Sequence, residues 1–263
     1  MKILISGAGI AGATLAFWLA REGHEVTIVE VAPQVRTGGY IVDFWGLGYD
    51  VAEKMGLVPE LNRRGYFIEA IKLVGQDGKR VGGFSAKVFS RMTNGRFVSL
   101  PRSALAGAIY EIVASQIETM FGNEIAALHE TADAVEVSFT RGETRAFDLV
   151  IGADGLHSRV RELAFGPQSA FERYLGFKVA AFEIAGYQPR EPLTYVSFTR
   201  PGLQAARFAE RGDETLFLLV IADPEPGLPA GGAAEKAYLH ARFDHLGWEC
   251  PAIMAALDKT DRL

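Results

Sequence analysis

Residues Gly7-Ala8-Gly9-Ile10-Ala11-Gly12 follow a short apolar run, Ile3-Leu4-Ile5, and lead into a helix-prone stretch through Leu15, Phe17, Trp18 and Leu19. An all-apolar run of this length suits a parallel strand covered on both faces. The first glycine permits a tight turn, the second lets the backbone approach a pyrophosphate, and the third allows close packing of helix and strand. The helix stops at Arg21-Glu22-Gly23, where glycine suits a helix C-terminus. Val26 to Val29 forms the next strand, closed by Glu30, whose carboxylate is placed to accept hydrogen bonds from an adenosine ribose. Unpaired N–H groups and partial positive charge at the helix N-terminus favour phosphate. Strand, turn, helix and acid make one βαβ unit, the start of a doubly wound sheet. Gly7, Gly9, Ala11, Gly12 and Glu30 are its candidate dinucleotide-binding residues. The fingerprint alone does not separate FAD from NAD.

The absence of charge from Ile3 to Ala20 imitates a signal peptide or a membrane span. Glycines at regular spacing and the division into a β-rich and a helix-prone half argue against both, so no membrane span is expected. A net charge of -5 without a Lys/Arg cluster argues against nucleic acid as a partner. Cys250 is the single cysteine, which excludes an intrachain disulfide and leaves the cytoplasm as the expected compartment.

Further along, Gly38-Gly39 marks a loop and Tyr49 to Met55 a short helix. Ile71 to Val74 and Val81 to Phe84, separated by Gln76-Asp77-Gly78, read as a hairpin. Phe97 to Leu100 reads as a strand and Ser103 to Ala114 as a helix, followed by β-runs at 118–121, 134–139 and 147–152. Beyond Arg161, strands at 177–184, 194–198, 205–208 and 216–221 follow one another with few helices between, which predicts a largely antiparallel sheet. A Pro/Gly loop at 224–232 and two helices, 233–243 and 252–258, close the chain.

A second motif follows the first by about 140 residues: Asp148-Leu149-Val150-Ile151-Gly152-Ala153-Asp154-Gly155-Leu156-His157-Ser158-Arg159-Val160-Arg161. Taken by itself it is an apolar strand ending in an Asp-Gly turn and entering a helix capped near Ser158. As a whole it resembles the Asp-Gly motif of class A flavoprotein monooxygenases, the group of para-hydroxybenzoate hydroxylase and the tetracycline-modifying monooxygenases. Two motifs in the right order favour FAD over NAD.

The resemblance implies cofactor-binding roles for Asp154 and Gly155. It extends to Arg36 and Asp43, which fall where the tetracycline-modifying enzymes have residues close to the flavin and nicotinamide. It also extends to Leu100-Pro101-Arg102-Ser103-Ala104-Leu105, which makes Arg102 a candidate FAD contact. Two departures stand out. Val31 follows Glu30 where many members have arginine. The family's third motif, a Gly-Asp followed by a glycine-rich stretch, has no counterpart, because Gly212-Asp213 sits in a polar hairpin turn. The chain reaches Asp261-Arg262-Leu263 about where the family approaches that segment, so a complementary C-terminal chain or segment is an expected partner.

The implied fold is α/β: a Rossmann-like FAD-binding domain, residues 1–70 and 98–165, with a second, mostly antiparallel β substrate domain, residues 71–97 and 166–263. The implied reaction is hydroxylation of a small organic substrate, aromatic or polycyclic, by a flavin that NAD(P)H reduces and oxygen reoxidises. In such enzymes the cofactor performs the chemistry, so no catalytic acid, base or nucleophile is nominated. His240, His245 and Cys250 are spaced five apart, about 140° on a helix, so they do not converge as a metal site does. Two other readings stay open: a truncated or split flavoprotein fragment without turnover, and an NAD(P)-dependent dehydrogenase or reductase.

Overall fold

The computed structural model describes residues 1–36, 40–229 and 231–260. The sequence readings at Gly38-Gly39 and at Asp261-Arg262-Leu263 lie outside the described residues. In chain order the elements are β1 (Lys2–Ser6), α1 (Ile10–Arg21), β2 (Glu25–Glu30), β3 (Ile41–Trp45), α2 (Leu47–Lys54), α3 (Val58–Arg64), β4 (Ala70–Val74), β5 (Arg80–Ser85) and α4 (Lys87–Met92). There follow β6 (Phe97–Pro101), α5 (Arg102–Val113), β7 (Glu118–Phe121), β8 (Ile125–Glu130), β9 (Val135–Phe139), β10 (Arg145–Phe147), β11 (Leu149–Gly152) and α6 (Arg159–Phe165). The last are β12 (Phe177–Ala185), β13 (Thr194–Arg200), β14 (Leu203–Ala209), β15 (Glu214–Ala222), α7 (Gly232–Phe243) and α8 (Cys250–Leu257). No helix among the described residues is long and apolar enough to cross a membrane.

The chain divides into two compact units, residues 1–38, 59–61 and 102–173, and residues 39–58, 62–101 and 174–263. The first is built on a parallel sheet of order β11-β1-β2-β7. Alternation along β1 explains why its run is apolar throughout. Ile3 and Ile5 join Val26, Ile28 and Ala16 of α1 in one cluster, while Leu4 joins Val29, Val137, Phe139, Phe147 and Val160 in another. Helices α1 and α5 cover one face of the sheet, and the three-stranded antiparallel sheet β10-β9-β8 with α6 covers the other. Burial on both faces, worth roughly 1.5–3 kcal/mol per large apolar side chain, fixes the strand in the middle of its layer.

The second unit carries a six-stranded sheet of order β12-β15-β14-β13-β4-β5, antiparallel except where β4 and β13 run parallel. Its period-two pattern is read on both faces. Val196, Phe198, Phe217, Leu219 and Ile221 pack against Leu239 and Phe243 of α7 and Ile253, Met254 and Leu257 of α8. Tyr195, Phe208, Leu216 and Leu218, one residue out of phase, line a cavity on the other face. Arg207 pairs across the ladder with Val196 and Phe217, and is only 2% exposed. Its charge is met by Glu249, the cap of α8, through Nε at 2.8 Å and Nη2 at 3.0 Å, and by Glu191 at 3.3 Å.

Residues 70–85, from early in the chain, share this sheet with residues 177–222. The sequence-derived boundaries differ from the observed units in four stretches: 39–58, 62–70 and 98–101 were expected with the nucleotide-binding part and pack within the second unit, and 166–173 was expected with the substrate part and packs within the first. β3, expected as loop, pairs with β6, and β6 bridges through Ser99 to Tyr66 just before β4, which draws these segments together in the second unit.

Candidate functional site

The glycine turn sits where β1 gives way to α1. Gly7 has φ +103°, a left-handed conformation that disfavours any side chain. A Cβ there would also lie 2.7 Å from the Ala153 carbonyl oxygen and 2.9 Å from the Asp154 Cα, so the Asp-Gly turn packs directly on the first glycine. At Gly12 a Cβ would fall 1.9 Å from the Gly7 carbonyl oxygen. Gly9 differs: nothing lies within 4 Å of its Cβ position, and its φ of -72° is ordinary. Gly9 and Ala11 are exposed while Gly7, Ala8 and Gly12 are buried. Ala13 is the first residue to bond back to Gly9, at 2.9 Å, so the four amides from Gly9 to Gly12 make no intrahelical bond. Bare backbone with free donors thus faces open space.

Glu30 ends β2 and is 8% exposed. Its Oε2 accepts the Ala8 amide at 2.8 Å and its Oε1 the Ala32 amide at 2.9 Å. The acid therefore fixes the glycine turn as well as lying beside it. The Arg36 guanidinium stands 3.8 Å from Oε1, with its side chain 75% exposed. Val31 is 55% exposed next to Glu30.

Asp154 follows β11. Its Oδ2 accepts the Ser6 hydroxyl at 3.1 Å and the amides of Arg159 and Val160 at 2.8 and 3.2 Å, which ties the turn to both β1 and the N-terminus of α6. Its Oδ1 is buried and has no hydrogen-bond partner. Leaving a buried carboxylate oxygen unpaired costs about 1–3 kcal/mol or more, which a ligand donor would recover. Gly155, φ +86°, is exposed with open space at its Cβ position. α6 itself starts as its sequence suggests, with the Ser158 hydroxyl accepting the Arg161 amide at 3.1 Å. Arg102 opens α5, exposed. The first unit thus brings together Gly7, Gly9, Ala11, Gly12, Glu30, Arg36, Asp154 and Gly155 around one turn-and-helix crevice. Open backbone, an orphaned carboxylate oxygen and uncapped amides fit a dinucleotide.

Asp43 belongs to the second unit, on β3, where its Oδ1 accepts the Ser99 hydroxyl of β6 at 2.5 Å. It lines the cavity of about 240 Å³ on the sheet, with Tyr40, Ile41, Ile68, Ile71, Tyr195, Phe208, Leu216 and Leu218. Burial, and then the Asp43 charge, pushes the Tyr195 hydroxyl up to about 12, so it stays a donor at neutral pH. Glu210 continues the ladder beyond Phe208, its amide bonded to the Glu214 carbonyl at 2.9 Å. Burial, then Glu183 and Glu214, pushes its carboxyl up to about 7. Tyr66 stacks edge-on against Phe208 at 5.4 Å.

Sequence reasoning missed Ser6 and the α6 amides, since neither carries a motif, and it missed Tyr195 and Glu210. The phase of Tyr195 against Val196 was the available signal, but only strand register turns phase into a face. His240, weighed earlier as a ligand, is held by Asp244 and Asp258.

The model of the FAD binding domain family matches residues 1–201. The chain belongs to this family, the FAD-binding class A flavoprotein monooxygenases. Its cofactor is FAD, and it is an oxidoreductase by family. An uncharacterized protein of Mycobacterium tuberculosis is 37% identical over 251 residues, 94% of this chain and 67% of its own length. The FAD-dependent monooxygenase asL4 of Sarocladium schorii is 28% identical over 99% of this chain and 63% of its own. The crystal structure of tetracycline destructase Tet(55) superposes with a TM-score of 0.85 at 25% identity, over 99% of this chain and 66% of that one. The flavoprotein chain therefore spans about two thirds of the length of the relatives it matches.

Proposed function

We propose that this flavoprotein is an FAD-dependent monooxygenase that uses NAD(P)H and oxygen to hydroxylate a small organic substrate of aromatic or polycyclic character. The observation that carries the proposal is the crevice of the first unit, where open backbone at Gly9 meets the Asp154 turn with its orphaned oxygen. Bound FAD supplies electron transfer from the nicotinamide and the activation of oxygen. The amides from Gly9 to Gly12 would hold the pyrophosphate, with the N-terminal dipole of α1 opposing its charge. Glu30 keeps lone pairs for the ribose while anchoring Ala8 and Ala32. Asp154 would take a donor from the cofactor on Oδ1 and hold the turn on Oδ2. Arg36 and Arg102 are proposed as cofactor contacts from flexible, exposed side chains. Asp43 and the sheet cavity would exclude water from the substrate and orient it.

The test is optical and then kinetic. The purified protein, or the protein titrated with FAD, should show the two-band visible spectrum of bound flavin. NAD(P)H oxidation stimulated by an aromatic substrate, with matching oxygen uptake and a hydroxylated product, completes the case. A protein that stays colourless with excess FAD, or one that oxidises NAD(P)H without oxygenating any substrate, would end it.

A further inference from the structure

We infer that the cavity on the second unit selects aromatic substrates that are neutral or cationic and present a hydrogen-bond donor, and that it rejects carboxylated ones. The inference rests on the reading of this cavity as the substrate site. Eight of its nine described lining residues are aromatic or branched aliphatic, and the ninth is Asp43. Apolar walls of this kind hold a flat apolar body through burial, so discrimination falls to the few polar groups. Asp43 is an acceptor with one oxygen held by Ser99. The Tyr195 hydroxyl is a donor across the same space, kept protonated. No lysine or arginine is among the described lining residues.

The charge pattern beyond the cavity points the same way. Glu210 emerges two residues past Phe208 on the same face, with Glu183 acting on it through its charge. The two cations nearby are engaged: Arg211 donates to the Arg63 and Gly65 carbonyls and lies over the Tyr66 ring at 5.1 Å, and Arg190 donates to the Glu210 and Glu214 carbonyls and pairs with Asp213. A substrate carboxylate would therefore meet the Asp43 charge, with no lysine or arginine among the described lining residues to balance it. At ~5 Å and an effective dielectric of about 20, one such repulsion weakens binding on the order of a hundredfold. A phenol or aromatic amine of the same shape instead gives Asp43 a charge-assisted hydrogen bond.

Three matched probes test this by calorimetric titration of the FAD-saturated protein: 2-naphthol, 2-naphthylamine and 2-naphthoate. Wild type should bind the first two at least about tenfold more tightly than the third, about 1.4 kcal/mol. Asp43→Asn should raise naphthoate affinity and bring the ratio close to one. Ser99→Ala, which frees the carboxylate but keeps its charge, should preserve the ratio and so separates charge from misfolding. Tyr195→Phe should weaken naphthol binding severalfold. Naphthoate binding as tightly as naphthol, a ratio untouched by Asp43→Asn, or no binding of any probe would overturn the inference. Leu218→Trp, which fills the cavity, distinguishes the two levels. Binding lost in that variant, with no selectivity in wild type, removes the specificity but leaves the site. Binding retained in it shows the probes sit elsewhere, and the site reading falls too.

Discussion

Gly9 and Gly12 occupy the same motif, yet the space around them predicts opposite consequences of substitution. Gly9→Val meets no protein atom at its Cβ and has a permissive φ, so its thermal stability should stay within about 0.5 kcal/mol of wild type while FAD affinity falls by tenfold or more. Gly12→Ala drives a methyl into the Gly7 carbonyl and should destabilise the fold before cofactor is considered. Thermal unfolding of both apoproteins, beside flavin titration, checks the pair. A Gly9→Val protein that still binds FAD as wild type does would remove the pyrophosphate from the turn. Glu30→Ala lies between these cases. It should lose FAD affinity and also about 1–3 kcal/mol of stability, because the buried Ala8 amide loses its acceptor; Glu30→Gln should keep the anchor at Ala8 or at Ala32 but not both, since one of its two terminal atoms is a donor.

At the scale of elements, the buried pairing of β14 with the cap of α8 gives a stability prediction. Glu249→Gln leaves Arg207, 2% exposed, with Glu191 alone and with Nη1 already lacking a partner. A loss of about 3 kcal/mol is expected by urea unfolding. The end of β14 gives a pH prediction. Burial, then the charges of Glu183 and Glu214, pushes the Glu210 carboxyl up to about 7 in the folded state, above the 4.5 of a solvated glutamate. The native state therefore binds more protons between these pH values, and stability falls as pH rises through that window and levels off above it. Tm measured from pH 5 to 8 should drop more steeply in wild type than in Glu210→Gln. Equal slopes would contradict the raised carboxyl. Elements of this kind were legible to different degrees. The antiparallel strands of the second unit alternate clearly, so Thr194–Arg200 and Glu214–Ala222 are found close to where their patterns predict. Ile41–Trp45 carries Asp43 and two aromatics beyond a glycine pair and lacks strict alternation of polar and apolar residues, so only its long-range pairing with Phe97–Pro101 makes it a strand. The glycine fingerprint was readable because its chemistry is local, whereas the Ser6–Asp154 contact spans 148 positions and has no local signature.

For the molecule as a whole, cofactor binding should appear as stability by mass action. FAD at about 100 times its Kd should add ~2.7 kcal/mol to the unfolding free energy of the unit that binds it, visible as a raised Tm in wild type and absent in Gly9→Val. Both large sheets also join strands far apart in the chain: Ile3 lies opposite Leu149, and Ala70 opposite Thr194. On a ribosome, β1 and the β4–β5 hairpin emerge well before β11 and β13, so one edge of each must wait for more than a hundred further residues, because a parallel edge cannot be closed by a local turn. During that interval their unsatisfied edges are available to other nascent chains. Slower folding and longer exposure of open edges are the expected cost of drawing each sheet from segments so far apart in the polypeptide.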